Sequence, residues 1–203
     1  MATLVTMAAG HARAQEREPD SIEMTLARAL EARVTVWRSP GGRVVYVSHC
    51  RGVPRGCRAR VAAFARWIAE VSRERELDPF VLAAMAVRES GLDPFARGPA
   101  GELGIIQLHP RGIGGRVRFI RSEGYRRWCR HQAGACQREV LETGADHLAQ
   151  AIVQCGSLEA GLGAYNSGAC HETAYTRRVL RERSRLLELA KASTPLASRG
   201  HVD

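Results

Sequence analysis

Glu89 is the residue in this sequence that most needs a chemical explanation. It stands at the end of an apolar segment, residues 79–88, whose composition predicts a buried helix. A carboxylate in that position is costly unless it is paired or protonated. Burial raises the pKa of a carboxyl group, and a general acid working near neutral pH needs a raised pKa. The alternative is a structural ion pair with Arg88 or Arg97, and Glu89 taken alone leaves both explanations open.

The six cysteines are the second chemical signal. Their short separations place partners within hairpins or adjacent helices, so we expect three local disulfides formed in an oxidising compartment. No Cys-x-x-Cys pair occurs, which argues against a zinc ribbon or a thioredoxin-like redox site. The sequence does not fix the connectivity, and buried free thiols are the alternative. The expected pairs are Cys50 with Cys57, Cys129 with Cys136, and Cys155 with Cys170.

Neither the histidines nor the charge indicates a cofactor. The chain carries 30 Lys and Arg against 21 Asp and Glu, and this net charge of +9 favours an anionic partner such as cell wall, nucleic acid or anionic lipid. Aromatic residues make up 5% of the chain, so platforms for stacking bases are scarce and we expect no nucleic-acid partner. Without a metal-ligand spacing, surface or capping roles are expected for His109, His131, His147 and His171.

A mostly helical chain must position these residues. β-Branched runs on either side of residues 39–42 predict a hairpin. Asp78 and Pro79 are typical of a helix start, as N-cap and first residue, and that helix ends at residues 89–91. Glycine and proline predict a loop over most of residues 91–115. Apolar residues at three- and four-residue spacing predict further helices over 20–33, 58–76, 139–154, 157–166 and 172–190.

Four regions follow from this pattern. Residues 1–19 are expected to be an export-signal remnant or disordered, 20–49 a helix and hairpin, 50–190 the helical domain, and 191–203 a frayed tail. The N-terminus is mildly apolar, with a small-x-small site but no basic region before it, so it supports export only weakly. No segment approaches the ~20 apolar residues that cross a bilayer. The expected disulfides and the weak export signal together favour a periplasmic or secreted protein.

Four sequence blocks, in order, resemble the soluble lytic transglycosylase family of the lysozyme-like superfamily. They are similar to the family's Glu-Ser motif, its Gly-Leu-Met-Gln block, its Ala-Tyr-Asn-Ala-Gly block and its closing Tyr-x-x-x-Val-Leu. Each block is weak alone, but the ordered set is specific, and it implies a mainly α, lysozyme-like helical domain. The blocks are Glu89 to Ala96, Gly98 to Pro110, Ala164 to Gly168, and Tyr175 to Leu180.

The chain also departs from the family's pattern. Ile106 stands where the family usually has Met, so we expect that wall of a sugar groove to be shorter and stiffer. The segment between the second and third blocks carries one cysteine pair and a run of arginines, over residues 116–130, that the pattern does not include. Those arginines are expected either to touch the acidic stem peptides of bacterial wall or to form a plain solvated face. The hairpin and the Cys50–Cys57 pair also lie outside the pattern.

The resemblance implies a reaction with Glu89 as the single catalytic group. Glu89 would protonate the glycosidic oxygen between N-acetylmuramic acid and N-acetylglucosamine of peptidoglycan. It would then accept the proton of the muramic C6 hydroxyl as that oxygen attacks C1, giving a 1,6-anhydro end without consuming water. Because the nucleophile belongs to the substrate, this scheme needs one carboxyl group, whereas most glycosidases need two.

The resemblance also implies roles for the neighbours of Glu89. Tyr165 would approach Glu89 and hydrogen-bond it or the substrate, with core packing as the alternative. Gln107 and Asn166 would bind acetamido or hydroxyl groups, with loop pinning as the alternative for each. Ser90 would orient Glu89 or cap the local backbone. Tyr175 would line the cleft, and a core role is the alternative.

Three other functions stay open at this point. Goose-type lysozymes, which hydrolyse the same glycan, carry an Asp two residues after the Gln of the second block. Here that position is His109, while Asp93 and Glu102 remain as candidate second carboxylates. The others are a non-catalytic wall-binding module, which would tend to lose the acid, and a nucleic-acid binder, which only the charge supports. Peptidoglycan is the expected partner, with a secretion or envelope assembly as a further one.

Overall fold

The structure, a computed structural model, describes residues 21–53 and 55–192. The chain begins with helix α1 (Ser21–Val34), followed by a two-stranded antiparallel sheet of β1 (Thr35–Arg38) and β2 (Val44–Tyr46). Thr35 pairs with Tyr46, and the register shifts before Trp37 pairs with Val45. The predicted hairpin is therefore confirmed. The predicted export-signal remnant, and the predicted tail beyond residue 192, lie outside the described residues.

The rest of the described chain is helical, which confirms the mainly α prediction. The three- and four-residue spacing placed each long helix to within about two residues of its ends. Among the described helices, none is both long and apolar enough to span a bilayer. The helices are α2 (Gly56–Glu74), α3 (Pro79–Ser90), α4 (Arg118–Arg121), α5 (Glu123–Trp128), α6 (Ala133–Cys136), α7 (Arg138–Cys155), α8 (Leu158–Ser167) and α9 (Ala174–Ala192).

Helix α3 is the central element, and local sequence fixes both of its ends. The Asp78 side chain accepts a hydrogen bond from the Phe80 amide at 2.8 Å, with Pro79 at the first helical position. Gly91 ends the helix with a φ of 62°, in the left-handed conformation that glycine adopts at little cost. Every residue from Phe80 to Val87 is buried. The helix thus passes through the core and ends where its last turn reaches the surface.

One hydrophobic core joins the N-terminal helix to the remainder of the described chain. Leu26 and Leu30 of α1 are fully buried, and α1 packs against α2, α3 and α9. An ion pair of 2.7 Å between Arg33 and Glu182 also ties α1 to α9. The described part of residues 20–49 therefore shares the core of the helical domain and has no core of its own.

Three disulfides hold the peripheral segments, and they are the three predicted pairs. Cys50–Cys57 closes the connection between the sheet and α2, and Cys129–Cys136 closes the segment between α5 and α7. Cys155–Cys170 links the end of α7 to the loop after α8, so it encloses α8. The Cα–Cα distances are 5.1, 5.9 and 5.2 Å, within the range that disulfides require.

Candidate active site

A groove of about 720 Å³ opens at the C-terminal end of α3. The loop that follows α3 forms one wall, and α7 and α8 form the other. The groove brings together residues from the first, second and third of the four blocks. The predicted site residues that line it are Glu89, Ser90, Ile106, Gln107, Tyr165 and Asn166.

The Glu89 carboxyl is half-buried and has a raised pKa. Loss of solvent is the largest cause, and the charge of Glu102 acts in the same direction. Interaction with the Tyr175 hydroxyl and the charges of Arg178 and Arg88 lower the pKa, but they do not cancel the effect of burial. Because the negative end of a helix disfavours an anion, the position in the last turn of α3 adds to the same tendency. Glu89 therefore holds its proton to a higher pH than an exposed glutamate does.

The structural alternative for Glu89 was an ion pair with a neighbouring arginine. Within the part of the chain that the structure describes, neither Arg88 nor Arg97 forms an ion pair with Glu89. Both arginines line the groove, together with Glu89. The carboxyl is thus presented to the groove and is not neutralised by direct pairing.

Two tyrosines lie beside Glu89, one in the groove and one behind it. Tyr165 of α8 and Tyr175 of α9 stack with ring centroids 6.4 Å apart and an interplanar angle of 15°. Burial raises the pKa of both phenols, and the Glu89 charge raises each pKa further, so both hydroxyls keep their protons. Tyr175 is 6% exposed and does not line the groove, because the start of α9 packs it into the core. Of the two roles expected for Tyr175, the structure therefore favours the core one, beside Glu89.

The Tyr175 hydroxyl is buried without a hydrogen bond of ordinary geometry. It nevertheless lies close enough to the Glu89 carboxyl to lower the pKa of that group. Tyr175 therefore acts on the Glu89 carboxyl from the core side of the groove.

Ser90 fastens the groove wall to α3. Its hydroxyl lies 2.8 Å from the Ile105 carbonyl and 3.0 Å from the Ala86 carbonyl. Ser90 was expected either to orient Glu89 or to cap the local backbone. Both of its contacts are to backbone carbonyls, so the structure favours the second role. The residue directly after Glu89 thereby anchors the loop that faces it.

Gln107 stabilises the same loop from within. Its amide nitrogen donates to the Gly104 carbonyl at 2.8 Å and to the Ala96 carbonyl at 3.1 Å. Its backbone has a φ of 50°, in the left-handed region. Both amide hydrogens are therefore committed to the loop, as the loop-pinning alternative supposed. The Oε1 atom, which a Cβ at Gly98 would approach to 3.0 Å, is the part of Gln107 left to meet a substrate.

Ile106 forms a rigid part of the wall because α7 packs directly against it. The residue is 1% exposed. Gly144 of α7 lies so close that a Cβ there would overlap the Ile106 Cδ1 atom and would come within 3.3 Å of the Tyr165 hydroxyl. Because Gly144 has no side chain, Ile106 of the loop wall and Tyr165 of α8 can both pack closely against α7 at this position.

Two residues contribute to the site in ways that the sequence did not indicate: His147, for which a surface or capping role was expected, and Gln137. His147 of α7 lines the groove, and its ring lies 5.3 Å from that of Tyr165 at an angle of 48°. Its position three residues after Gly144 puts it on the same helix face, a signal that the helical period carries. Gln137 is fully buried and accepts a 2.8 Å hydrogen bond from the Ile105 amide. Nothing in the sequence indicates that contact, which spans 32 residues.

The two candidate second carboxylates lie in different places. The Asp93 side chain accepts a hydrogen bond from the Phe95 amide at 3.0 Å, and Asp93 does not line the groove. Glu102 does line the groove, where the Ala100 amide donates to its carboxylate at 3.0 Å. His109, which occupies the position of the lysozyme-type Asp, also lies in the groove. Across the described residues, no three His, Cys, Asp or Glu side chains are clustered to hold a metal ion.

Comparison with known families agrees with this geometry. The family described as Transglycosylase SLT domain matches residues 66–186, more than half of the chain. The chain therefore belongs to this family, and the predicted family and its lysozyme-like helical fold are confirmed. No curated protein matches the chain.

Proposed function

We propose that this protein is a lytic transglycosylase that cleaves the glycan strands of peptidoglycan. The observation that carries the proposal is the desolvated carboxyl of Glu89, presented to a groove of glycan-binding size between Tyr165 and the loop wall. Membership of the Transglycosylase SLT domain family supports the same class of reaction. The groove is open, as a polymeric substrate requires.

Glu89 acts first as the general acid. Its raised pKa lets it hold its proton to a higher pH than an exposed glutamate does, and it delivers that proton to the oxygen that links N-acetylmuramic acid to N-acetylglucosamine. The bond from that oxygen to C1 of the muramic residue then breaks. The resulting Glu89 carboxylate is stabilised by the charge of Arg178 and by the Tyr175 hydroxyl, both of which favour the ionised form.

Glu89 acts next as the general base. It accepts the proton of the muramic C6 hydroxyl while that oxygen bonds to C1, which closes a 1,6-anhydro ring and regenerates the protonated acid. The products are a free N-acetylglucosamine 4-hydroxyl and an anhydromuramic end, and no water is consumed. Tyr165 and Asn166 at the end of α8 are placed to hold the sugar beside Glu89, and so is the free oxygen of Gln107.

A hydrolase is the second candidate, and Glu102 is the observation that favours it. Its carboxylate lies in the groove, and its charge acts on Glu89. A second carboxylate could activate a water molecule on the opposite side of the sugar ring. The Ala100 amide holds Glu102 within its own turn, however, and His109 replaces the Asp expected for a goose-type lysozyme. We therefore place Glu102 in a loop-stabilising role.

The test is mass analysis of products from purified wall. We expect muropeptides that end in 1,6-anhydro-N-acetylmuramic acid, lighter by one water than hydrolase products and resistant to borohydride. Glu89→Gln keeps the shape and hydrogen bonds of the side chain but cannot transfer a proton, so turnover should fall by about 10²–10⁴-fold or more.

Glu102→Gln is the matched control, since it makes the same change in the same groove. We expect it to retain turnover within about tenfold, because a loop-stabilising side chain acts only through positioning. Reducing ends in the digest, together with an inactive Glu102→Gln, would establish the hydrolase. Full activity of Glu89→Gln would contradict both functions.

The three disulfides support a periplasmic or secreted location, where such bonds persist and where peptidoglycan lies. Peptidoglycan strands are the proposed partner, and the positive charge of the chain suits an acidic polymer. A secretion or envelope assembly stays a further proposed partner.

A further inference from the structure

A second pocket, of about 570 Å³, shares no lining residue with the groove of Glu89. Its floor is the outer face of α2, and both of its sides come from disulfide loops. Val53 and Arg55 belong to the loop closed by Cys50–Cys57, and residues 130–135 belong to the loop closed by Cys129–Cys136. Each of these two loops is closed by its own disulfide.

The lining of this pocket is strongly basic. It contains four arginines against one acidic residue, Glu23. Arg60 is buried and donates to the His49 carbonyl at 2.7 Å, so it contributes charge from below. The other three are exposed, and none of them forms an ion pair within the part of the chain that the structure describes. Those three guanidinium groups belong to Arg55, Arg66 and Arg130. The Arg130 guanidinium lies 5.7 Å from the ring of Phe95, which does not line the pocket.

The floor between these charges is apolar and made of small side chains. Five alanines of α2 and α6 line the pocket, and Gly134 packs so tightly that a Cβ there would lie 2.5 Å from the Ala63 Cβ. Trp67 closes one end, with the Arg66 guanidinium 4.9 Å and the Arg138 guanidinium 4.8 Å from its ring. The apolar part of the lining is therefore made mostly of small side chains, with Trp67 as the large one.

We infer that this pocket binds the stem peptide of peptidoglycan at a site separate from the catalytic groove, an inference that rests on the proposed function. A stem peptide is short, carries several carboxylates and consists largely of alanine, so it matches the basic rim and the alanine floor. Guanidinium groups bind carboxylates by paired, charge-assisted hydrogen bonds. The volume lies within the range of about 300–1,000 Å³ typical of small-ligand sites. Holding a peptide here would anchor the enzyme on the wall while the groove engages a glycan strand.

The test compares binding of inactive protein to wall with and without its peptides. In the Glu89→Gln background, the Arg66→Gln/Arg130→Gln pair is sedimented with intact wall sacculi and with sacculi stripped of peptides by an amidase. We expect the apparent Kd for intact sacculi to rise by at least about tenfold, as the loss of charge-assisted hydrogen bonds predicts. On stripped sacculi we expect no difference from the parent. The control pair Arg181→Gln/Arg185→Gln removes the same charge from exposed positions of α9.

Direct binding is measured by titrating a free stem tetrapeptide and following the NMR signals of the Trp67 indole and the Gly134 amide. The inference is overturned by an absence of shifts, by equal weakening in the control pair, or by weakening that persists on stripped sacculi. Equal weakening in the control pair would indicate general charge attraction, and weakening that persists on stripped sacculi would indicate glycan binding. Anhydro products without tetrapeptide shifts would refute this inference alone. Tetrapeptide shifts without anhydro products would refute the proposed reaction alone.

Discussion

Gly144→Ala tests the packing that shapes the groove wall. A methyl group at this position would overlap Ile106 Cδ1, so the side chain of Ile106, which is 1% exposed, would have to shift. Overpacking of this kind costs about 1–3 kcal/mol. Replacing glycine by alanine inside a helix returns about 0.8–1.0 kcal/mol, since α7 is helical there. The steric cost is the larger of the two, so we expect the free energy of unfolding to fall by about 1 kcal/mol.

The assays follow from the position of the clash. For a chain of this size, a loss of about 1 kcal/mol lowers Tm by about 2–4 °C. Because the groove wall and the Tyr165 hydroxyl both meet α7 at Gly144, kcat/KM on peptidoglycan should also fall, by about tenfold or more. Calorimetry and a muropeptide release assay measure the two effects.

Ile106→Val provides the control, because valine lacks the Cδ1 atom that the new methyl group would meet. Alone it should cost about 0.5–1.5 kcal/mol. In the Ile106→Val background, Gly144→Ala should become neutral or stabilising. The higher helix propensity of alanine still favours folding there, and the clash with Cδ1 is gone. A Gly144→Ala protein as stable as the parent, or an effect unchanged by Ile106→Val, would refute this account of the wall.

Three further predictions concern the residues around the acid. Because burial raises the pKa of Glu89, the protonated carboxyl contributes stability that is fully present below the unfolded-state pKa and is lost as the pH rises through the folded-state pKa. Glu89→Gln should therefore have a higher Tm than the parent at pH 7 and no advantage near pH 4, and a constant difference would contradict this. Tyr175→Phe removes an interaction that favours ionised Glu89, so the alkaline limb of the pH–rate profile should move to higher pH, with Tm unchanged or raised because the hydroxyl lacks a good partner. Ser90→Ala should lower the free energy of unfolding by about 1 kcal/mol, measured by urea titration, and a loss below the error of the titration would show that the loop does not depend on this hydroxyl.

The helices and the groove could be predicted to different extents. The helices could be predicted from the spacing of apolar residues and from the helix-start signal at Asp78, because both signals depend only on residues near each other in the sequence. The chain order of the four blocks sufficed to bring Tyr165 to Glu89, since the family fold joins the blocks. The choice between the two roles expected for Tyr175 depends on how α9 packs against α8, which no local pattern records.

Other features of the site were hidden in the sequence for the same physical reason. Gln137 supports the wall by accepting a buried hydrogen bond from a backbone amide. The sequence does not show which polar side chains have such a buried partner and which are exposed to solvent. The second pocket was equally invisible, although both cysteine pairs that frame it had been predicted. The pairs give the closure of each loop, but not the fact that the two loops face each other across α2.

The Cys155–Cys170 disulfide affects what happens when a protease cuts the chain near α8. It closes a covalent ring around α8, so Tyr165 and Asn166 lie inside the ring. A single cut of the backbone anywhere between the two cysteines leaves both fragments joined through sulfur, and the end of α8 stays tethered to α7. The rings of the other two pairs behave in the same way toward cuts within residues 50–57 and 129–136. Each of these three segments can thus be cut once without releasing a piece of the protein.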